Sequence, residues 1–228
     1  RDSATTIVNV KPLPEVSTVP IGDEITFKEG ALLEPLGVAV HAVTRGKVSG
    51  ETVVVIGCGP IGILATAVAK ALGATSIYAI SRTPAKLDLA NQLSGARTIN
   101  GSQEDVIDTI DRLTDGNGAD VVIELAGTPP AIQDGFEMLR KGGKIVLVGM
   151  PLEPVELDIR SGIVTKEASV FGMHGREMYN SWTLAQRLIN EGLIDPGDII
   201  SREYPLEEYE HGFEDIEEGV AGKVLLIP

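Results

Sequence analysis

Six consecutive residues, Gly57-Cys58-Gly59-Pro60-Ile61-Gly62, constrain this chain more than any others. They follow directly on a β-branched run, Thr52 to Ile56. They open directly into Pro60 to Leu72, where Ile61, Leu64, Ala65, Val68, Ala69 and Leu72 recur at helical spacing and Gly73 stands where a helix stops. Between a strand and a helix each glycine has a task. Gly57 permits the tight turn, Gly59 lets the backbone come close to a pyrophosphate, and Gly62 lets helix and strand pack closely. The helix starting at Pro60 then presents unpaired amides and the positive end of its dipole to phosphate oxygens, with Ile61 in its first turn. A glycine turn without a ligand is the alternative, and the alternation along the rest of the chain argues against it.

That alternation begins at Glu51. The strand candidates are Thr52 to Ile56, Ser76 to Ile80, Arg97 to Ile99, Ala119 to Glu124, Lys144 to Val148 and Ser169 to Phe171. Several are apolar on both faces, as strands covered by helices on both sides must be. Helical runs lie between them. Thr83 to Leu93 begins with a cap candidate and Pro84 and is followed by Gly95. Pro130 to Leu139 runs into Arg140-Lys141-Gly142-Gly143, basic residues and then glycines, which reads as a helix end. Strands alternating with crossover helices predict an α/β fold, a doubly wound parallel six-stranded sheet of the Rossmann type. The first 30 or so residues, rich in Pro and Thr, stand outside this pattern.

Composition excludes several function classes. With 228 residues, 43% of them hydrophobic, the chain can bury a full core. Its longest apolar stretches, such as Val53 to Ile56 and Val224 to Ile227, fall far short of the roughly 20 residues that cross a bilayer. Arg1 to Val10 has no apolar signal-peptide core, so a soluble, cytoplasmic protein without a membrane partner is expected. A formal net charge of −14 argues against a nucleic-acid partner. The acidic residues between Glu207 and Glu218 read as solvated helix faces. A single cysteine, Cys58, excludes an internal disulfide and any multi-cysteine metal site within these residues. Its place beside a helix N-terminus would suit a reactive thiol, but a spare small position in the loop is the simpler reading.

About 20 residues beyond the loop, an acidic side chain would normally accept the adenine-ribose hydroxyls and select NAD. This chain reads Ala79-Ile80-Ser81-Arg82-Thr83-Pro84-Ala85-Lys86, with no carboxylate. Ser81, Arg82 and Lys86 instead offer hydroxyl and cationic groups suited to a 2′-phosphate. NADP is therefore expected over NAD, unless Arg82 simply lies in solvent.

These segments, with Glu34-Pro35-Leu36-Gly37-Val38-Ala39-Val40-His41-Ala42 ahead of them, resemble the zinc-dependent medium-chain dehydrogenases. Within that family the resemblance is greatest to the threonine- and polyol-oxidising branches, and Gly172-Met173-His174-Gly175-Arg176-Glu177-Met178-Tyr179, followed by Trp182, resembles the segment of the threonine-oxidising branch that runs past the nicotinamide. Tyr204 to Tyr209 and Gly222-Lys223-Val224 are similar across the wider family. The resemblance spans Val19 to the C-terminus and is far more specific for the superfamily than for the substrate. It implies oxidation of a secondary alcohol, threonine-like or polyol, by hydride transfer to a nicotinamide cofactor with a catalytic zinc polarising the substrate oxygen. It further implies that Leu125, Ala126 and Gly127, Val148, Gly149 and Met150, and Met173 and His174 line the nicotinamide and its ribose. Turn or core packing accounts for most of these residues equally well. Glu34 matches a family position that ligates the catalytic zinc. Its alternative is a helix N-terminal charge with Pro35 at the first helical position. The family resemblance implies a homodimer or homotetramer formed through the sixth strand.

The family's zinc-binding cysteine, Gly-His-Glu stretch and four-cysteine site have no counterpart among these letters. His41, His174 and His211 fall in other contexts. Arg1 to Val16 resembles the family's opening strands and Val19 to Gly30 the segment just before the cofactor domain, so a deletion is expected near residues 16–18. The corresponding organisation is a remnant of the catalytic domain over 1–33, a dinucleotide-binding domain over 34–200 and a return segment over 201–228, with zinc absent from these residues. The rival reading is an NADP-binding module without catalysis. A zinc-free quinone-reductase relative is disfavoured by Glu34-Pro35 and the segment after the sixth strand.

Overall fold

The computed structural model describes residues 18–228. The reading of Arg1 to Val16 lies outside them, as does the junction near residues 16–18 except for Thr18. At the centre is β1 (Thr52–Ile56), which sends Val53 and Val55 into one core and Val54 and Ile56 into the other. Period two on a strand covered from both sides has this consequence. It pairs in parallel with β2 (Ser76–Ser81) on one side and β4 (Ala119–Glu124) on the other, Val53 lying opposite both Ile77 and Val121. With β3 (Arg97–Asn100), β5 (Leu139–Leu147) and β6 (Ser169–Gly172), the order is β3-β2-β1-β4-β5-β6. The chain winds outward from β1 to β3, then crosses back to β4 and winds the other way. Loops at the carboxyl ends of β1 and β4 therefore diverge and leave a crevice between them.

One face of the sheet is covered by α1 (Phe27–Gly46), α2 (Pro60–Ala71), α3 (Pro84–Ser94) and α6 (Asn180–Asn190). The other is covered by α4 (Val106–Leu113) and α5 (Pro129–Met138). Beyond the sheet, β7 (Ile200–Pro205), α7 (Tyr209–Glu217) and β8 (Lys223–Ile227) form a small parallel unit. Leu225 is buried there, while Leu226 and Ile227 stay partly exposed on a strand that pairs only with β7 among the described residues. No helix of the described residues is long and apolar enough to cross a membrane.

Two sequence expectations are corrected. Pro35 is not the first residue of a helix but lies buried inside α1, which starts eight residues earlier. The start is set by a capping box. The Thr26 side chain accepts from the Glu29 amide, and the Glu29 carboxylate accepts from the Thr26 amide at 2.7 Å. The division expected at residue 34 thus falls within a continuous helix whose Leu32, Leu33, Leu36, Val40 and Val43 sit in the core.

The second correction concerns Arg140-Lys141-Gly142-Gly143, which do not end α5. The helix stops at Met138, and these residues already belong to β5. A register shift between Ala119 and Val121 in the β4–β5 ladder accommodates them. The basic side chain serves the strands instead: Arg140 pairs with Asp120, and Lys144 pairs with Glu51 at 3.1 Å. The carbonyls at the end of α5 are met by a distant group, Lys166, whose Nζ donates to the carbonyls of Phe136, Glu137 and Leu139 at 2.7 Å each. Leaving them without that donor is the larger cost of removing it. Lys166→Met is expected to destabilise the fold by about 1–3 kcal/mol, seen as a lower denaturant midpoint with an unchanged slope. An unmoved midpoint would show that the carbonyls find water just as well.

Candidate cofactor site

The site is built where β1 turns into α2. Gly57 has φ +97°, a conformation that a side chain would strain, and its amide donates to the Ile80 carbonyl at 2.9 Å. A Cβ there would lie 2.8 Å from the Ala126 amide nitrogen, and a Cβ on Gly62 would overlap the Gly57 carbonyl oxygen. Gly59 is different. A Cβ on it would meet nothing within 4 Å, so the glycine faces open space rather than protein. It is the N-cap of α2, provides no side-chain cap, and is followed by Pro60, so the amides of Ile61 and Gly62 have no capping partner. An open approach to uncapped helix-terminal amides suits a phosphate group.

From this loop a cleft of about 660 Å³ runs over the ends of β2, β3 and β4. Gly57, Gly59, Ser81, Arg82, Lys86 and Ala126 line it, which brings together six of the residues singled out in the sequence. Arg82 is exposed and Lys86 half-buried, and neither enters an ion pair within the described residues. The Ser81 hydroxyl accepts from the Thr83 amide at 3.4 Å. The opposite wall, from Gly101, Glu104, Asp105 and the start of α4 to Asp134 on α5, was not found in the sequence. Its one legible signal was Asp105 ahead of the apolar spacing of Val106, Ile107 and Ile110. The acids of that wall are largely committed. Asp105 caps α4 through the amides of Ile107 and Asp108, and Glu104 accepts from the Thr109 hydroxyl. Burial, together with the charges of Glu137 and Asp105, raises the Asp134 carboxyl above its ordinary range.

The other candidate residues lie at the same edge of the sheet but not in that cleft. Leu125 follows β4 and packs on the first core, its amide donating to the Ile56 carbonyl at 2.8 Å. Val148, Gly149 and the 70% exposed Met150 follow β5. Met173 and His174 follow β6 and line a separate hollow with His41, Thr44 and Arg45. Fully buried beneath the turns after β4 and β5 is Glu124, which sequence reasoning treated as a strand residue. Burial raises its carboxyl above the usual range, while the amides of Gly127 and Ala126 pull the other way.

Glu34 projects from α1 with its carboxylate 2.8 Å from Nη1 of Arg176, and the Arg176 guanidinium lies over the Trp182 ring at 5.4 Å. Among the described residues no three His, Cys, Asp or Glu side chains converge as a metal site would require. His41 faces the Gly175 carbonyl, and His211 lies far off in α7 beside Glu208. The described residues therefore do not fit a catalytic zinc.

Residues 60–191 match the family model described as zinc-binding dehydrogenase. The chain is 41% identical over 198 residues to L-threonine 3-dehydrogenase of Bacillus subtilis, an alignment covering 87% of this chain and 57% of that protein. It is 42% identical over 218 residues to L-threonine 3-dehydrogenase of Caldanaerobacter subterraneus, covering 95% and 62%. Among solved structures, 2R,3R-butanediol dehydrogenase from Bacillus subtilis superimposes with a TM-score of 0.81 at 32% identity, covering 87% of this chain and 57% of that one. The chain thus spans about three-fifths of the length of the curated relatives it matches.

Cys58 settles one of the readings offered by the loop. It is 1% exposed, its Sγ lies 3.5 Å from the Ile80 carbonyl, and burial pushes its thiol up to about 12 despite the nearby Lys86 charge. Because the thiolate is the nucleophile, iodoacetamide at pH 8 is expected to label the folded chain about 10³-fold more slowly than the unfolded one. Comparable rates would mean that the loop opens and exposes the thiol.

Proposed function

The chain belongs to the zinc-binding dehydrogenase family, and on that premise we propose that these residues bind a nicotinamide dinucleotide, preferring NADP to NAD, for an oxidoreductase acting on a secondary alcohol. The observation that carries this reading is Gly59. It opens onto unfilled space above uncapped helix amides while its neighbours Gly57 and Gly62 are locked against backbone. Such a cradle fits the pyrophosphate of a dinucleotide. Ser81, Arg82 and Lys86 receive the 2′-phosphate, and the turns at Leu125 and Ala126, at Val148 to Met150, and at Met173 and His174 surround the nicotinamide half. When bound, the nicotinamide supplies the hydride acceptor, and the chain's own residues bind and orient it. A threonine-like or polyol substrate follows the names of the relatives.

The domain division follows the same logic. The sheet and its helices form the dinucleotide-binding unit, and the residues from 201 onward form the return segment. Glu34 pairs with Arg176 among the described residues, and it would ligate a zinc only together with further ligands that those residues do not supply. The strand β6, which among the described residues pairs only with β5 and is exposed at Val170, supports self-association as a homodimer or homotetramer.

Calorimetric titration of the two cofactors tests the preference. Arg82→Ala is expected to weaken NADP by about 10- to 100-fold, the worth of a charge-assisted contact to phosphate, and to leave NAD within about threefold. Wild-type affinity for NAD equal to or tighter than that for NADP would remove the reading.

A further inference from the structure

We propose that Glu124 is a positioning residue whose buried carboxyl holds the turns after β4 and β5 in the shape that receives the nicotinamide half of the cofactor. The proposal rests on the cofactor reading above. Glu124 is the last residue of β4 and is 0% exposed, in a position where an aliphatic side chain would satisfy packing without the cost of burying a carboxyl. Its polar atoms are directed at two loops. Oε1 accepts from the Ala126 amide at 2.7 Å and from the Gly127 amide at 2.9 Å, curling the turn after β4 around the side chain. The backbone carbonyl of the same residue accepts from the amides of Val148 at 2.9 Å and Gly149 at 3.0 Å, tying down the turn after β5.

The two turns then meet through glycine. A Cβ on Gly149 would collide with the Gly127 amide and lie 2.9 Å from Oε2 of Glu124, and one on Gly127 would lie 2.9 Å from the Met150 amide nitrogen. Oε2 itself is buried without a protein hydrogen-bond partner among the described residues, facing the Gly149 backbone. On its other side the turn after β4 abuts the phosphate loop, through the Ala126 nitrogen against Gly57. One residue thus ties together the turns after β4 and β5, the first through its side chain and the second through its backbone carbonyl, and the tips of those turns at Ala126 and Met150 are exposed. The adenine half of the cleft, around Ser81, Arg82 and Lys86, receives no contact from Glu124.

This asymmetry separates positioning from general stability. In Glu124→Ala, NADP binding is expected to weaken by about 10-fold or more while adenosine 2′,5′-bisphosphate, which carries only the adenine half, stays within about twofold. Glu124→Gln, whose side-chain oxygen can still accept from both amides, is expected to recover most of the dinucleotide affinity. Amide hydrogen exchange gives a readout independent of ligand: Ala126 and Gly127, whose amides donate to the side chain, should lose protection in Glu124→Ala while Val54 and Val122 keep theirs. Equal weakening of both ligands, or unaltered exchange at the amides of Ala126 and Gly127, overturns the proposal. If Glu124→Ala does not fold, a Glu124→Gln variant with wild-type exchange but dinucleotide affinity as poor as that of the half-ligand overturns it too. A wild-type chain that binds neither ligand would instead defeat the cofactor reading, and the exchange result would still decide whether Glu124 braces the turns.

Discussion

The fold depends on how closely three pieces of backbone approach one another where the sheet reverses direction. The Gly57 carbonyl lies where a side chain on Gly62 would be, and a side chain on Gly57 would run into the backbone of the turn at Leu125 and Ala126. Any side chain at Gly57 or Gly62 would push α2 away from β1 or β1 away from β4. That separation would open the crevice, so the same contact that closes the core also shapes the ligand site. Gly59 stands apart from the packing constraint, because its missing side chain leaves space outside the protein rather than inside it.

Around that point, the sheet distributes its apolar residues into two cores that share no strand face. α1 and α6 enlarge the first of these, and α1 reaches the sheet closely enough that a Cβ on Gly46 would lie 2.8 Å from a Val121 methyl. The second core, beneath α4 and α5, is smaller and ends in the Lys166 cap. Charge is distributed with similar economy. In a chain of net charge −14, Arg82 and Lys86 at the cleft enter no ion pair among the described residues, whereas Arg140, Lys144 and Arg176 are each engaged by a carboxylate. Two cations side by side at the cleft raise the local potential for an anionic ligand.

Much of the framework was legible along the chain. The strand limits of β1 and β4 and the glycine loop follow from local periodicity and turn chemistry, which need no information from distant residues. The misread places have a common cause. Pro35 is a good helix starter by local rules, yet α1 is buried over most of its length, and the packing of Leu32, Leu33 and Leu36 sustains a helix through the proline. Arg140-Lys141-Gly142-Gly143 looked like a helix end because basic residues and glycines favour one. The pairing of β5 with β4 and the partners Asp120 and Glu51 made those residues a strand instead.

The sequence by itself determined the alternation of strand and helix, the position of the phosphate loop and the missing carboxylate after β2, since each is a property of neighbouring residues. Only the tertiary structure decided what surrounds them. It placed α4 and α5 as the far wall of the cleft, paired Glu34 with Arg176 across 142 positions, and buried Glu124 under two turns that meet from separate strands. Those arrangements depend on distances between residues remote in the chain, and no local pattern encodes a distance that the winding of the sheet has yet to set.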